Sequence, residues 1–280
     1  MEPGAVRLRV ANLDGQREFY ERAIGLRSVG PANGGARLGA DGAVVVELGD
    51  TPEARPRPPG TTGLFHLAIL VPDRAELAAA LARVTGAGWH LSGASDHLVS
   101  EALYLSDPEG NGIEIYRDRP RSEWRYEDGR VQMSTLPLDL DALLAEVRET
   151  GGDGDGMAAG TRIGHVHLNV ADLDDAEGFY SGLLGFDVTV RGYPGALFLS
   201  TGGYHHHIGV NTWAGPGAPA PPPEARGLDW FELVVEDPRQ LAELEARLEG
   251  AGVELERIAE GVRTGDPSGN GLRIRSSGMS

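Results

Sequence analysis

The chain spells the same pattern more than once, and internal repeats constrain architecture before any other signal. Val10-Ala11-Asn12-Leu13-Asp14 runs on through Phe19-Tyr20 to Ile24-Gly25-Leu26. It returns as Val170-Ala171-Asp172-Leu173-Asp174, Phe179-Tyr180 and Leu184-Gly185-Phe186. A second phrase, Asp107-Pro108-Glu109-Gly110-Asn111-Gly112-Ile113-Glu114-Ile115, returns as Asp266-Pro267-Ser268-Gly269-Asn270-Gly271-Leu272-Arg273-Ile274. The first phrase reads as strand then helix. Residues 5–10 alternate apolar and polar, Asp14 offers an N-cap, and Gly25 ends the helix. Strands follow at 36–38 and 44–48. After a Pro-rich stretch come a strand over 64–71, a helix over 75–84 capped by Asp73, and strands over 102–106 and 112–117 joined by a turn with good β-turn chemistry.

Residues 1–118 therefore read as two modules of strand, helix and three strands. Residues 119–160 interrupt the pattern with a helix over 140–149 and the linker composition Gly151-Gly152-Asp153-Gly154-Asp155-Gly156. The modules repeat at 161–213 and 225–277, giving a second pair within 161–280. The expected fold is α+β: four βαβββ modules in two paired-module domains, each helix lying on one face of a small antiparallel sheet.

Composition excludes several classes. A net charge of −17 disfavours nucleic acid and anionic membrane surfaces. There is no cysteine, so thiolate chemistry is excluded; the 25 basic residues are all arginine, so Schiff-base lysine chemistry is too. No segment has the length of a membrane span or the pattern of a signal peptide, and a cytoplasmic location is expected.

This arrangement resembles the vicinal oxygen chelate superfamily, which includes glyoxalase I, the fosfomycin and bleomycin resistance proteins and the extradiol catechol dioxygenases. Within it, residues 94–105 (Ala94-Ser95-Asp96-His97 through Tyr104-Leu105) and 202–213 (Gly202-Gly203-Tyr204-His205-His206-His207 through Trp213) resemble the short two-domain catechol 2,3-dioxygenases. The resemblance implies a divalent metal held by residues on the first strand and near the end of the last strand of a module. Those places hold Ala5 and Glu47, His66 and Glu114, His165 and Gly209, and Trp230 and Arg273 in modules one to four. His66, Glu114 and His165 are the ligand set carried over, and two imidazoles with one carboxylate suit non-haem Fe(II), with Mn(II) as a substitute. Alternation supports it: His66 points opposite to Phe65 and Leu67, Glu114 opposite to its isoleucine neighbours, and His165 and His167 share a face. This set departs from the larger extradiol enzymes, whose ligands come from their two C-terminal modules. It requires modules two and three to face each other, leaving a metal-free pair of modules one and four. A rival set keeps modules one and two together and recruits Glu47.

The resemblance also places His206 where extradiol enzymes have an acid/base histidine, with strand alternation turning it opposite to His205 and His207. Gly209 falls where glyoxalases have a further Glu ligand. Tyr104, ten residues before Glu114, matches a substrate-contacting tyrosine; His97 and His167 are further pocket histidines, and Trp213 and Tyr204 are candidate aromatic lining. The implied function is Fe(II)-dependent extradiol cleavage of catechol or a substituted catechol by O2. A glyoxalase-type lyase or isomerase and a non-catalytic small-molecule binding protein are the alternatives. A homo-oligomer is compatible with the chain.

Overall fold

The computed structural model describes all residues except 33, 128–129, 151–155 and 278–280. Module one comprises β1 (Glu2–Val10), α1 (Leu13–Phe19), a π-helical turn (Tyr20–Ile24), β2 (Arg27–Ser28), β3 (Gly35–Ala40) and β4 (Ala43–Asp50). Module two is β5 (Gly63–Leu70), α2 (Arg74–Gly86), β6 (Gly93–Asp96), β7 (Ser100–Ser106) and β8 (Gly112–Asp118). The intervening segment forms β9 (Tyr126–Glu127), β10 (Arg130–Val131), β11 (Leu136–Pro137) and α3 (Leu140–Thr150). Its Gly/Asp-rich run lies outside the described residues apart from Gly156. Module three is β12 (Arg162–Asn169), α4 (Leu173–Glu177), a second π-helical turn (Gly178–Leu183), β13 (Asp187–Val190), β14 (Ala196–Ser200) and β15 (Ile208–Asn211). Module four is β16 (Gly227–Val235), α5 (Pro238–Gly250), β17 (Glu256–Ile258), β18 (Gly261–Gly265) and β19 (Gly271–Ser276). The fold is thus α+β with four βαβββ modules.

Among the described residues, the strands of modules four and one run in the orders β17-β18-β19-β16-β1 and β4-β3-β2. Those of modules two and three, with β11, run in the orders β11-β6-β7-β8-β5 and β12-β15-β14-β13. Two compact units can be distinguished. One contains Met1–Leu8, Arg55–Phe65 and Gly164–Ser280; the other contains Arg9–Ala54 and His66–Ile163. Their boundaries fall inside β1, β5 and β12.

The sheets are mixed rather than antiparallel as expected. The first and last strands of modules two, three and four pair in parallel: β5 with β8, β12 with β15, and β16 with β19. A parallel pair needs a long crossover, and the helix plus two intervening strands supplies one. The first helix also differs from expectation. Asn12, not Asp14, is its N-cap and accepts from the Gly15 amide, while Asp14 lies inside the first turn. A cap needs non-helical backbone with its oxygen facing the free amides, and only Asn12 has both. Asp73 caps α2 as expected.

Alternation decides the faces. In module two Leu67, Ile69, Leu103, Leu105, Ile113 and Ile115 are buried on the side covered by Leu77, Leu81 and Val84 of α2, which contacts β8. Burial of each such side chain stabilises by about 1.5–3 kcal/mol. The opposite face carries Ala68, Leu70, Ala102 and Tyr116, with Tyr104 packed against them.

The two repeated phrases meet each other. Tyr20 donates from its hydroxyl to Asp107 Oδ2 at 3.3 Å, and Tyr180 donates to Asp266 Oδ2 at 2.9 Å. Each aspartate also ties its turn: Asp266 Oδ1 accepts from the Ser268 and Asn270 amides, as Asp107 Oδ1 does from Glu109 and Asn111. Gly110 and Gly269 close the turns at φ of +88° and +82°, where glycine is unstrained. The repeat therefore encodes a buried strut between the first helix and the terminal hairpin of each half. Tyr180→Phe should lower unfolding stability by about 1.5–3 kcal/mol, the range for a hydrogen bond to a charged group, with chemical denaturation as the check.

Burial holds the Asp107 and Asp266 carboxyls above the ordinary aspartate range, and hydrogen bonds from Asn111 and Asn270 oppose it. A folded carboxyl pKa above the unfolded value stabilises below the unfolded pKa, and that contribution is lost as pH rises through the raised value. The stability deficit of Asp266→Asn should accordingly be largest in acid and narrow as pH climbs above about 3.9, the unfolded aspartate value; denaturation curves across pH read this directly.

Candidate metal centre

The parallel register of β5 and β8 sets Ala68 beside Glu114 and His66 beside Gly112. The antiparallel register of β7 and β8 sets Tyr104 directly opposite Glu114. Since side chains alternate faces, His66, Glu114 and Tyr104 share the face turned away from α2. His66 Nε2 stands 3.0 Å from Glu114 Oε2, and both residues are buried. The small side chains of Ala68 and Ala102 on this face leave room around them.

On β12, His165 and His167 are buried and alternate with Val166 and Leu168. His167 stands opposite Gly209 of β15, which in turn stands opposite Phe198 of β14. A side chain at residue 209 would place its Cβ 3.0–3.3 Å from the His167 ring. Glycine there lets His167 take its place, and a glyoxalase-type glutamate would have to displace it.

Among the described residues, His66 and Glu114 are a buried pair of metal-ligand types, and His165 is a further buried imidazole on β12. With metal–ligand bonds of about 2.0–2.2 Å, ligands at right angles stand about 3 Å apart. The His66–Glu114 separation already has that value, and two imidazoles with one carboxylate suit a divalent transition metal. Glu47 lies in β4, 3.5 Å from the Arg37 guanidinium of the neighbouring β3.

The histidine run departs from its expected conformation. His205–His207 form a bend, and β15 begins only at Ile208. Alternation therefore does not apply, and all three are buried. The His206 ring lies 4.1 Å from that of His165 and 5.0 Å from Phe198. His205 does not turn away: its Nδ1 lies 2.7 Å from His206 Nδ1, so one of these nitrogens donates and the other accepts. His207 is a packing residue by contrast, with Nδ1 accepting from the Thr201 amide and its ring stacked on Tyr204 at 4.8 Å.

His97 and Tyr104 come together. His97 Nε2 lies 2.7 Å from the Tyr104 hydroxyl, and Nδ1 lies 2.7 Å from the Ser134 carbonyl oxygen. A carbonyl only accepts, so Nδ1 carries the proton and Nε2 accepts from Tyr104. Tyr104 in turn lies 5.7 Å, ring to ring, from His66. Ser134 was invisible to sequence reasoning, because a backbone acceptor leaves no residue-type signal. Leu98, at φ +69°, turns the chain beside His97 with Asp96 accepting its amide.

An aromatic group flanks His167. Its ring lies 5.2 Å from Phe65, 5.6 Å from Phe198 and 5.3 Å from Trp213, and Tyr193 reaches both Phe198 and Trp213. Phe65, Tyr193 and Trp213 are 41%, 41% and 46% exposed, unusual for large apolar side chains. Trp213 was singled out from the sequence; Phe65, Tyr193 and Phe198 were not, since isolated aromatics in strands and loops read as core.

Comparison with known proteins places these residues in a lineage. Residues 3–115 and 162–274 each match the model of the Glyoxalase/Bleomycin resistance protein/Dioxygenase superfamily. The chain belongs to that family. It is 44% identical over 272 residues to a catechol-2,3-dioxygenase of Bacillus subtilis (strain 168), covering 94% of this chain and 93% of that protein. The chain is thus a catechol-2,3-dioxygenase-like enzyme. The fold is also that of a solved structure from Bacillus subtilis subsp. subtilis str. 168 (TM-score 0.69, 12% identity, 99% and 86% of the two chains). Glyoxalase I from Zea mays shares it as well (TM-score 0.61, 14% identity, 98% and 92%). Among the described residues no helix is long and apolar enough to cross a membrane.

Proposed function

We propose that the chain is an extradiol dioxygenase that opens catechol or a substituted catechol beside the diol, using O2 and Fe(II). The observation that carries this reading is the buried His66–Glu114 pair, with His165 buried on β12, in a chain 44% identical to a catechol-2,3-dioxygenase. A divalent iron held by these three residues would supply the Lewis-acid and redox chemistry that ring cleavage by O2 needs, and Mn(II) fits the same donors.

The remaining residues divide the other tasks. His206, beside His165, is placed to hold and return a proton during ring opening. Tyr104, fixed through His97 and the Ser134 carbonyl, presents its phenol oxygen on the ligand-bearing face and orients the substrate. His167 with Phe65, Phe198 and Trp213 offers aromatic surface for a planar ring. Residues 1–118 and 161–280 serve as the two paired-module domains, a division supported by the two family matches.

Metal analysis beside an oxygen electrode tests the reading. Protein reconstituted anaerobically with Fe(II) should, on admission of air, consume one O2 per catechol and form a yellow ring-opened semialdehyde acid. Catechol turnover without O2 uptake, or no turnover across a panel of substituted catechols, would overturn it.

A further inference from the structure

Module four repeats the strand register of module two with different side chains. In module two Glu114 pairs with Ala68, two residues after His66, and with Tyr104 on the neighbouring strand. In module four Arg273 pairs with Glu232, two residues after Trp230, and with Arg263. The places of imidazole, carboxylate and phenol are thus held by an indole and two guanidiniums. They lie on the face opposite Phe231, Leu233, Leu272 and Ile274, which are buried on the side of α5.

Trp230 is 3% exposed, and among the described residues its Nε1 has no hydrogen-bond partner. Arg273 and Arg263 lie over its ring at 5.4 and 6.0 Å from the centroid. The Arg263 Nε is likewise buried without a hydrogen-bond acceptor, while the Arg273 Nε faces Glu232 Oε1 at 3.5 Å. Arg273 stands 3.5 Å from Glu232 and pairs with Glu260, and Glu232 also holds Arg275 at 2.9 Å. Arg263 has no carboxylate partner among the described residues, although Glu256 is its neighbour in register. Buried N–H groups left without acceptors are costly and ordinarily satisfied. Two such donors, one of them on an unpaired guanidinium, call for a compact acceptor bearing negative charge, and arginine pairs suit carboxylate and phosphate alike.

We propose that this face binds a small oxyanion, a carboxylate or phosphate group, between Arg263 and Arg273 and against the Trp230 indole N–H. The site is separate from the residues assigned to metal binding, so it should persist without metal. The test uses 15N-labelled full-length Glu114→Gln protein, in which the metal centre is disabled. The Trp230 indole N–H resonance is identified by its loss in Trp230→Phe. Sodium benzoate and sodium phosphate are titrated separately at constant ionic strength. A saturable shift of the Trp230 resonance is expected, and whichever anion produces it names the class of ligand. Arg263→Gln should weaken binding about ten- to a hundredfold, the worth of a charge-assisted hydrogen bond. Arg263→Lys, which keeps the charge but loses the planar fork, should weaken it in the same direction. No saturable shift with either anion, or undiminished affinity in both Arg263 variants, overturns the proposal.

Discussion

Glu114→Gln should abolish most metal retention, whereas Glu47→Gln should leave it unchanged. Glu114 is 3% exposed, 3.0 Å from His66, and is the carboxylate of the proposed ligand set. An amide keeps its shape but removes the charge that balances a divalent ion. Loss of even a supporting partner of a ligand typically costs 10–100-fold in affinity, so loss of the ligand itself should cost at least about as much. Glu47 faces Arg37 across the neighbouring strands β4 and β3, and its replacement removes that ion pair. Metal content after anaerobic loading and desalting decides the matter. Equal loss in both variants would restore the set of one histidine and two carboxylates.

His206→Ala should keep iron and bind catechol anaerobically, yet lose ring-cleavage turnover by about 10²–10⁴-fold, the usual contribution of a positioned proton-transfer group. The His206 ring lies 4.1 Å from that of His165, and His206 is not one of the three proposed ligands. His205, whose Nδ1 engages His206, is a positioning residue by the same geometry. His205→Ala should therefore reduce kcat by less than His206→Ala at unchanged iron content. Iron content, anaerobic catechol binding and steady-state rate on one preparation separate the roles. Iron loss in His206→Ala would make it a ligand, and full turnover would remove the proton-transfer assignment.

The architecture was legible because its signals are local and repeated. The alternating strand over residues 5–10, the Asp73 cap and the Asp-Pro-x-Gly-Asn-Gly turn each depend on residues a few positions apart. Ligand types could also be nominated, since a histidine in Phe65-His66-Leu67 or a glutamate between Ile113 and Ile115 breaks an apolar run. Where local cues competed, reading failed: Asn12 and Asp14 both suit a cap, and only backbone conformation chose between them. The run His205–His207 carried no mark that distinguished a bend from a strand.

By itself, then, the sequence determined the four modules, the faces of their strands and the chemical character of the candidate site, because alternation and turn chemistry act within a few residues of one chain segment. Tertiary structure alone decided the parallel return of β8 to β5, the fit of His167 over Gly209, and the capture of His97 by the Ser134 carbonyl 37 residues away. It alone also brought Tyr180 to Asp266 across 86 residues. Those contacts depend on how strands pair and how backbone acceptors fall in space, and periodicity along a single segment contains neither.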